Sequence, residues 1–112
     1  MINEEKLETI VIDFSKIQQN ELNESFLAAF GNWVKLIMKR MFDNPGFGGG
    51  VSVKGTPTQV RSFARALGNE KRYVDIAKKH GLDDPRTISN KAKLKKAINA
   101  FERETGIKWP FE

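Results

Sequence analysis

The protein has 112 residues, a net charge of +5 and an isoelectric point near 9.6, and 39% of its residues are hydrophobic, with a mean hydropathy of -0.48. That length suits a single domain, residues 1–112, able to bury its own core. The absence of cysteine excludes disulfides, thiol catalysis and Cys-based zinc sites, and no apolar run approaches the roughly 18 residues of a membrane span.

Charge is uneven along the chain. Residues 1–50 carry 5 Lys and Arg against 7 Asp and Glu, whereas residues 51–112 carry 14 against 7, so the C-terminal part is the basic half. Such an asymmetry suits a polyanion such as nucleic acid, or an acidic protein surface; taken singly, each lysine better suits a solvated helix face. The N-terminus sets Asn3, Glu4 and Glu5 beside Lys6, unlike the basic-then-apolar order of a signal peptide. A protein assembled in a cytoplasm is therefore expected.

Thr9 to Phe14 alternates, with Ile10, Ile12 and Phe14 on one face, and predicts a short strand. Ser15 with Gln18, Asn20 and Asn23 are alternative caps for the helix that follows, whose start is placed near Asn20. Leu22 to Phe42 predicts the longest helix, about 31 Å at 1.5 Å per residue. Leu22, Phe26, Ala29, Phe30, Trp33, Leu36 and Ile37 form one apolar arc, and Leu27, Val34, Met38 and Met41 widen it to roughly 200°. The polar remainder, Glu24, Ala28, Gly31, Asn32, Lys35 and Lys39, is a narrow solvent seam. A helix so broadly apolar is either the centre of the fold or turns part of its arc to another subunit.

Asp43, Asn44, Pro45 and Gly46 end that helix, and Phe47 with Gly48 to Gly50 forms a connector. Val51 to Val53, ended by Gly55, predicts a second strand that pairs with the first as a two-stranded ribbon. Two strands are marginal alone, so they must pack on helices or extend across a subunit boundary. Thr56, Pro57 and Gln59 together spell an N-cap, a first-turn proline and a capping box, so a helix starts at Pro57 with Val60, Phe63, Ala64 and Leu67 as its buried stripe. Gly68 and Asn69 either end that helix and cap another through His80, with Val74 and Ala77 inward, or bend a single helix. Within Leu82 to Thr87, Asp84 before Pro85 predicts one short helical turn. Ser89 or Asn90 is then expected to cap a last helix with Leu94, Ala97, Ile98 and Phe101 inward. Gly106 suits a left-handed C-terminal cap, with Ile107 packing behind it. Trp109 and Phe111 flank Pro110, which keeps the tail extended, and two such aromatics are expected to dock on their own core or on another subunit.

No constellation carries catalysis. Gly46, Gly48, Gly49 and Gly50 lack the Gly-Lys-Ser/Thr ending of a phosphate loop, and a strand follows them, so they read as a connector. His80, the only histidine, suits the end of a helix without any further role. Asp83 and Asp84 are neighbours, and neighbouring carboxylates do not converge on one atom; Asp84 before Pro85 reads as a cap. Lys91, Lys93, Lys95 and Lys96, with Arg103 beyond, form the densest basic segment. Lys91, Lys95 and Lys96 fall on one side by helical angle, while Lys93 lies apart near Lys96. Phosphate contact suits them; base reading does not, and no aromatic for stacking shares their helix face.

Several stretches resemble small proteins of marine tailed bacteriophages. They run from Leu22, Ser25, Phe26 and Leu27 through Phe30, Gly31, Met41 and Phe42, then Ser62 to Leu67, then Glu70, Lys71 and Tyr73, then Gly81 to Pro85, and lastly Thr105 to Phe111. The resemblance spans most of the chain and carries no named activity and no catalytic residue; it implies a virion part or assembly factor.

The expected fold is α+β, mainly α: a long central helix, a two-stranded β-ribbon and a C-terminal helical half. The expected function is that of a non-enzymatic phage structural protein, a capsid-decorating or head-associated component of a virion assembled in the host cytoplasm. Its interface would be Phe26, Phe30, Trp33, Met38, Phe47, Trp109 and Phe111, and its partners other virion subunits or itself. No metal, cofactor, membrane or small-molecule substrate is expected. The alternative is a basic nucleic-acid-binding accessory protein acting through Lys91, Lys95, Lys96 and Arg103.

Overall fold

A computed structural model of the protein describes residues 10–15, 24–43 and 51–111. The elements run β1 (Ile10–Asp13), α1 (Glu24–Asp43), β2 (Val51–Lys54), α2 (Pro57–His80) and α3 (Pro85–Thr105), an α+β and mainly helical architecture. Contacts divide the chain into two compact units, Met1–Gly55 and Thr56–Glu112.

The first unit is a strand, helix, strand unit. β1 and β2 pair in parallel, with Ile10 opposite Val51 and Asp13 opposite Lys54. The direction follows from what lies between them: a helix of 20 residues carries the chain about 30 Å back, so β2 begins at the same end as β1. Alternation buries Ile10 and Ile12 and leaves Val11 48% exposed. Phe14, just past β1, is fully buried and meets Phe30 of α1 edge-on, with ring centroids 6.1 Å apart. The backbone N–H of Ser15 donates to the Asp13 carboxylate at 3.0 Å, a local turn. The other candidate caps of α1, Gln18, Asn20 and Asn23, lie outside the described residues, as do Phe47 and the glycine connector.

Along α1, Phe30, Val34, Ile37 and Met38 are buried, and Ala28, Asn32, Lys35 and Lys39 form the expected solvent seam. Leu36, placed inside the apolar arc by its residue type, is 40% exposed. It lies about 200° around the helix from Val34, so a face centred on Val34 and Met38 turns it outward. Phe26 and Trp33 are half-buried and meet edge-on at 6.0 Å, and Phe26 stacks on Phe30 at 6.4 Å.

The second unit is a helical hairpin with a docked tail. At the start of α2 the Gln59 N–H donates to Thr56 Oγ1 at 3.1 Å, and the Thr56 N–H donates to Gln59 Oε1 at 2.9 Å, the reciprocal box that the sequence predicts. The helix then runs unbroken through Gly68 to His80, so the break considered at Gly68 and Asn69 does not occur. The Asn69 amide donates back to the Arg65 carbonyl at 2.8 Å instead of capping a new helix. A lone interior glycine costs only about 1 kcal/mol against alanine, too little to end a helix packed on both sides of it.

The buried stripe of α2 is Gln59, Ser62, Phe63, Ala66 and Glu70. Of the expected stripe, Phe63 is buried, Val60 and Leu67 are half-buried, and Ala64 is exposed; Val74 and Ala77 are half-buried. Polar residues enter the stripe because they have partners there. Ser62 Oγ donates to the Gln59 carbonyl at 3.0 Å, and Glu70 accepts from the tail.

Pro85 opens α3 itself, not a separate turn, and the N-cap is Asp84, not Ser89 or Asn90. Asp84 accepts the Arg86 N–H at 2.8 Å and both ends of the Arg86 guanidinium at 3.0 Å. Thr87, almost fully buried, donates its hydroxyl to the Gly81 carbonyl at 2.6 Å and ties the new helix to the end of the old one. Gly81 makes that turn at φ 90°, a conformation that favours glycine. Thr87, Leu94, Ala97, Phe101 and Thr105 face inward along α3. Gly106 closes α3 in the left-handed conformation at φ 76°, its N–H bonding the Glu102 carbonyl at 2.8 Å, and Ile107 is buried behind it.

The tail docks on its own unit. Trp109 is 4% exposed, with ring centroids 5.2 Å from Phe101 and 6.1 Å from Phe63. Its indole N–H donates to Glu70 Oε1 at 2.9 Å, and its backbone N–H donates to Glu102 Oε2 at 2.9 Å. Of the two destinations open to the tail, the structure has it on the same chain.

Two outcomes follow. Trp109→Ala removes the central ring and strips the buried Glu70 carboxylate of its indole donor, so the second unit should lose about 3–5 kcal/mol, measured by chemical denaturation. Asp84 is held at about 2, down from 3.8, first by the side-chain hydrogen bond from Arg86 and then by the Arg86 backbone N–H. Since the folded value lies below the unfolded one, this cap is at full strength above the ordinary carboxylate range and is lost as the pH falls toward 2. Carboxyl NMR titration should give a midpoint near 2 for Asp84, and Arg86→Ala should raise it.

Candidate nucleic-acid interface on the basic half

The hairpin geometry sorts the basic residues of α3 onto two flanks. On one flank, Glu70 and Tyr73 of α2, Lys91, Leu94, Lys95 and Ile98 of α3 and Phe111 of the tail surround a cleft of about 330 Å³. On the other, two adjoining hollows of about 300 and 240 Å³ share Arg65 and Ala100 and form one shallow groove between the helices. Arg61 and Arg65 of α2 face Lys93, Lys96 and Arg103 of α3 across this groove, whose floor includes Ala97, Ala100 and Ser62; Glu104 is the one acid at its edge.

The helical repeat explains the division. Consecutive residues lie 100° apart, so Lys95 and Lys96 fall on opposite shoulders of α3. Lys91 and Lys95 therefore stay together, whereas Lys96, expected on their side, belongs with Lys93 and Arg103. Arg61 and Arg65 join that group from α2. Their i, i+4 spacing was the available signal, but it gains meaning only once the two helices are set side by side.

These cations are open to solvent. Arg61, Arg65, Lys91, Lys93, Lys95, Lys96 and Arg103 are all exposed. Among the described residues none of them enters an ion pair; pairs in this unit include Lys71 with Asp75 at 2.8 Å and Arg86 with Asp84 at 3.0 Å. Small residues on the groove floor let an extended polyanion approach the helix backbones, with charge on both walls. Backbone phosphates are bound in this way, by charge and without base reading.

The expected interface residues are dispersed. Phe30 and Met38 are buried in the first unit, where Phe26 and Trp33 are half-buried against each other. Trp109 is inside the second unit, and Phe47 lies outside the described residues. Phe111, half-buried, lines the cleft beside Lys91 and Lys95, and so does Tyr73, which sequence reasoning did not single out. Aromatic groups thus meet these lysines after all, supplied by α2 and the tail instead of by α3.

Among the described residues no three His, Asp or Glu side chains gather as a metal site requires, and no helix is long and apolar enough to cross a membrane. Comparison with protein-family models, with curated proteins and with solved structures finds no match for this chain.

Proposed function

We propose that the protein is a non-enzymatic, nucleic-acid-binding accessory protein whose basic half grips a phosphate backbone. The observation that carries this reading is the groove with Arg61 and Arg65 on one wall and Lys93, Lys96 and Arg103 on the other, all exposed and outside any ion pair among the described residues. The charge asymmetry of the sequence points the same way, since the excess of cations lies entirely in residues 51–112. Contact is with phosphates, so binding is independent of sequence and steeply dependent on salt.

A second reading is favoured by a different observation. Leu82, in the turn between α2 and α3, and Ile88, in the first turn of α3, are 67% and 58% exposed. Paired apolar side chains at a hairpin tip suit a protein partner, and the resemblance to marine phage proteins supplies a setting: a head-associated or capsid-decorating virion component that contacts other subunits or itself. Mass spectrometry of purified particles should then find this chain at a fixed copy number, and its absence from particles would remove that reading.

For the leading reading, filter binding at rising salt should give an affinity that falls by about 0.9 log unit per log unit of salt for each phosphate engaged. Lys93→Glu, Lys96→Glu and Arg103→Glu combined should abolish retention while leaving the circular dichroism spectrum unchanged, because all three side chains lie in solvent. No retention of the wild-type protein at low salt would refute the reading.

A further inference from the structure

We infer that the cleft beside Lys91 and Lys95 is a base-stacking site for single-stranded nucleic acid: one unpaired base lies against Phe111 and Tyr73 while its flanking phosphates meet the two lysines. The inference rests on the nucleic-acid reading above and adds to it the form of nucleic acid bound.

The cleft combines three features that this ligand chemistry requires. Leu94 and Ile98 give it an apolar floor, Tyr73 and Phe111 give it aromatic walls, and Lys91 and Lys95, one helical turn apart, give its rim positive charge. A planar ring with a stacking π-face and an adjacent negative charge satisfies all three, and a nucleotide unit is such a ligand. Both aromatics are half-buried, held by packing yet with ring surface left to cover.

Size argues for a single unit. At about 330 Å³ the cleft lies at the lower end of the roughly 300–1,000 Å³ of small-ligand sites, the scale of a single nucleotide unit. A base inside a duplex cannot enter without unstacking, so the site selects strands whose bases are already free.

The aromatic wall is set in place before any ligand arrives. Phe111 packs edge-on against Trp109 at 6.5 Å, and Trp109 is fixed by its bonds to Glu70 and Glu102. Pro110 between them narrows the backbone further. Ordering Phe111 is thus part of folding and not a cost of binding. Lys95 and Lys96, on the two shoulders of α3, carry positive charge from the cleft over the helix to the groove, so a strand seated in one continues into the other.

Fluorescence anisotropy with a labelled oligothymidylate of about 12 nucleotides, a duplex of the same length and free thymidine monophosphate separates the possibilities. The single strand should bind more tightly than the duplex. Phe111→Ala and Tyr73→Ala should each lower single-strand affinity about 5- to 150-fold, the range for loss of one stacked base, with duplex affinity unchanged. Lys91→Glu with Lys95→Glu, both exposed and away from the core, should lower it as well without touching the packing. Equal affinity for both polymers, untouched by these variants, would overturn the base site while leaving the nucleic-acid reading standing. Monophosphate binding as tight as that of the oligomer would overturn the assignment to a strand. Retention of neither polymer would overturn both readings together.

Discussion

The hydrogen bond from the Trp109 indole to the Glu70 carboxylate, spanning 39 residues of sequence at 2.9 Å, holds the second unit together. A two-helix hairpin has little interior of its own, because each helix offers the other only one stripe. Here the third layer is the tail. Trp109 fills the space between Phe63 of α2 and Phe101 of α3, and its two N–H groups are taken by a glutamate from each helix, Glu70 and Glu102. A bond to a charged acceptor is worth more than a neutral one, and either partner left alone in the interior would bear its full desolvation cost. The same contacts fix Phe111 and so shape the cleft that opens between it, Tyr73 and α3.

What the sequence made legible was local. The capping box at Thr56, the alternation of β1, the solvent seam of α1 and the left-handed cap at Gly106 each depend on a few adjacent residues, and each is where the pattern puts it. The errors arose where a residue's role depends on a distant partner. Glu70 was not among the residues expected inward, because nothing near it in sequence explains its burial; it accepts from Trp109. At Gly68 the sequence left both a terminus and a bend within one helix open, because glycine is a poor helix former; packing along α2 keeps one helix from Pro57 to His80. At Asp84 the signal was present and was given too little reach. A cap followed by proline opens a full helix here, locked from behind by Thr87 on Gly81.

The functional surface divides along the same line. Composition alone marks the second half as basic, and the lysines of α3 stand out by density. Their grouping does not. Whether Lys96 sits with Lys95 or with Lys93 depends on which face of α3 the hairpin buries, and that was fixed by Thr87, Leu94, Ala97, Phe101 and Thr105 together. The aromatic wall was hidden for a further reason. Tyr73 and Phe111 lie 38 positions apart in sequence and come together only because the tail folds back. Stacking residues read from one helix face alone were bound to be missed.

Charge and packing also oppose each other in this unit. Seven exposed cations outside any ion pair among the described residues, gathered on two neighbouring helices, repel one another and weaken the compact state. A surface kept only for solubility would intersperse acids among them, as Asp75 is set beside Lys71. On the groove that mixing is nearly absent, with Glu104 the one acid at its edge. The buried anchor of Trp109 between two glutamates offsets the repulsion from within, leaving the walls of the groove rich in positive charge. A polyanion seated there would remove the repulsion, and the excess of its affinity for the folded chain over the unfolded one would appear as added stability of the hairpin.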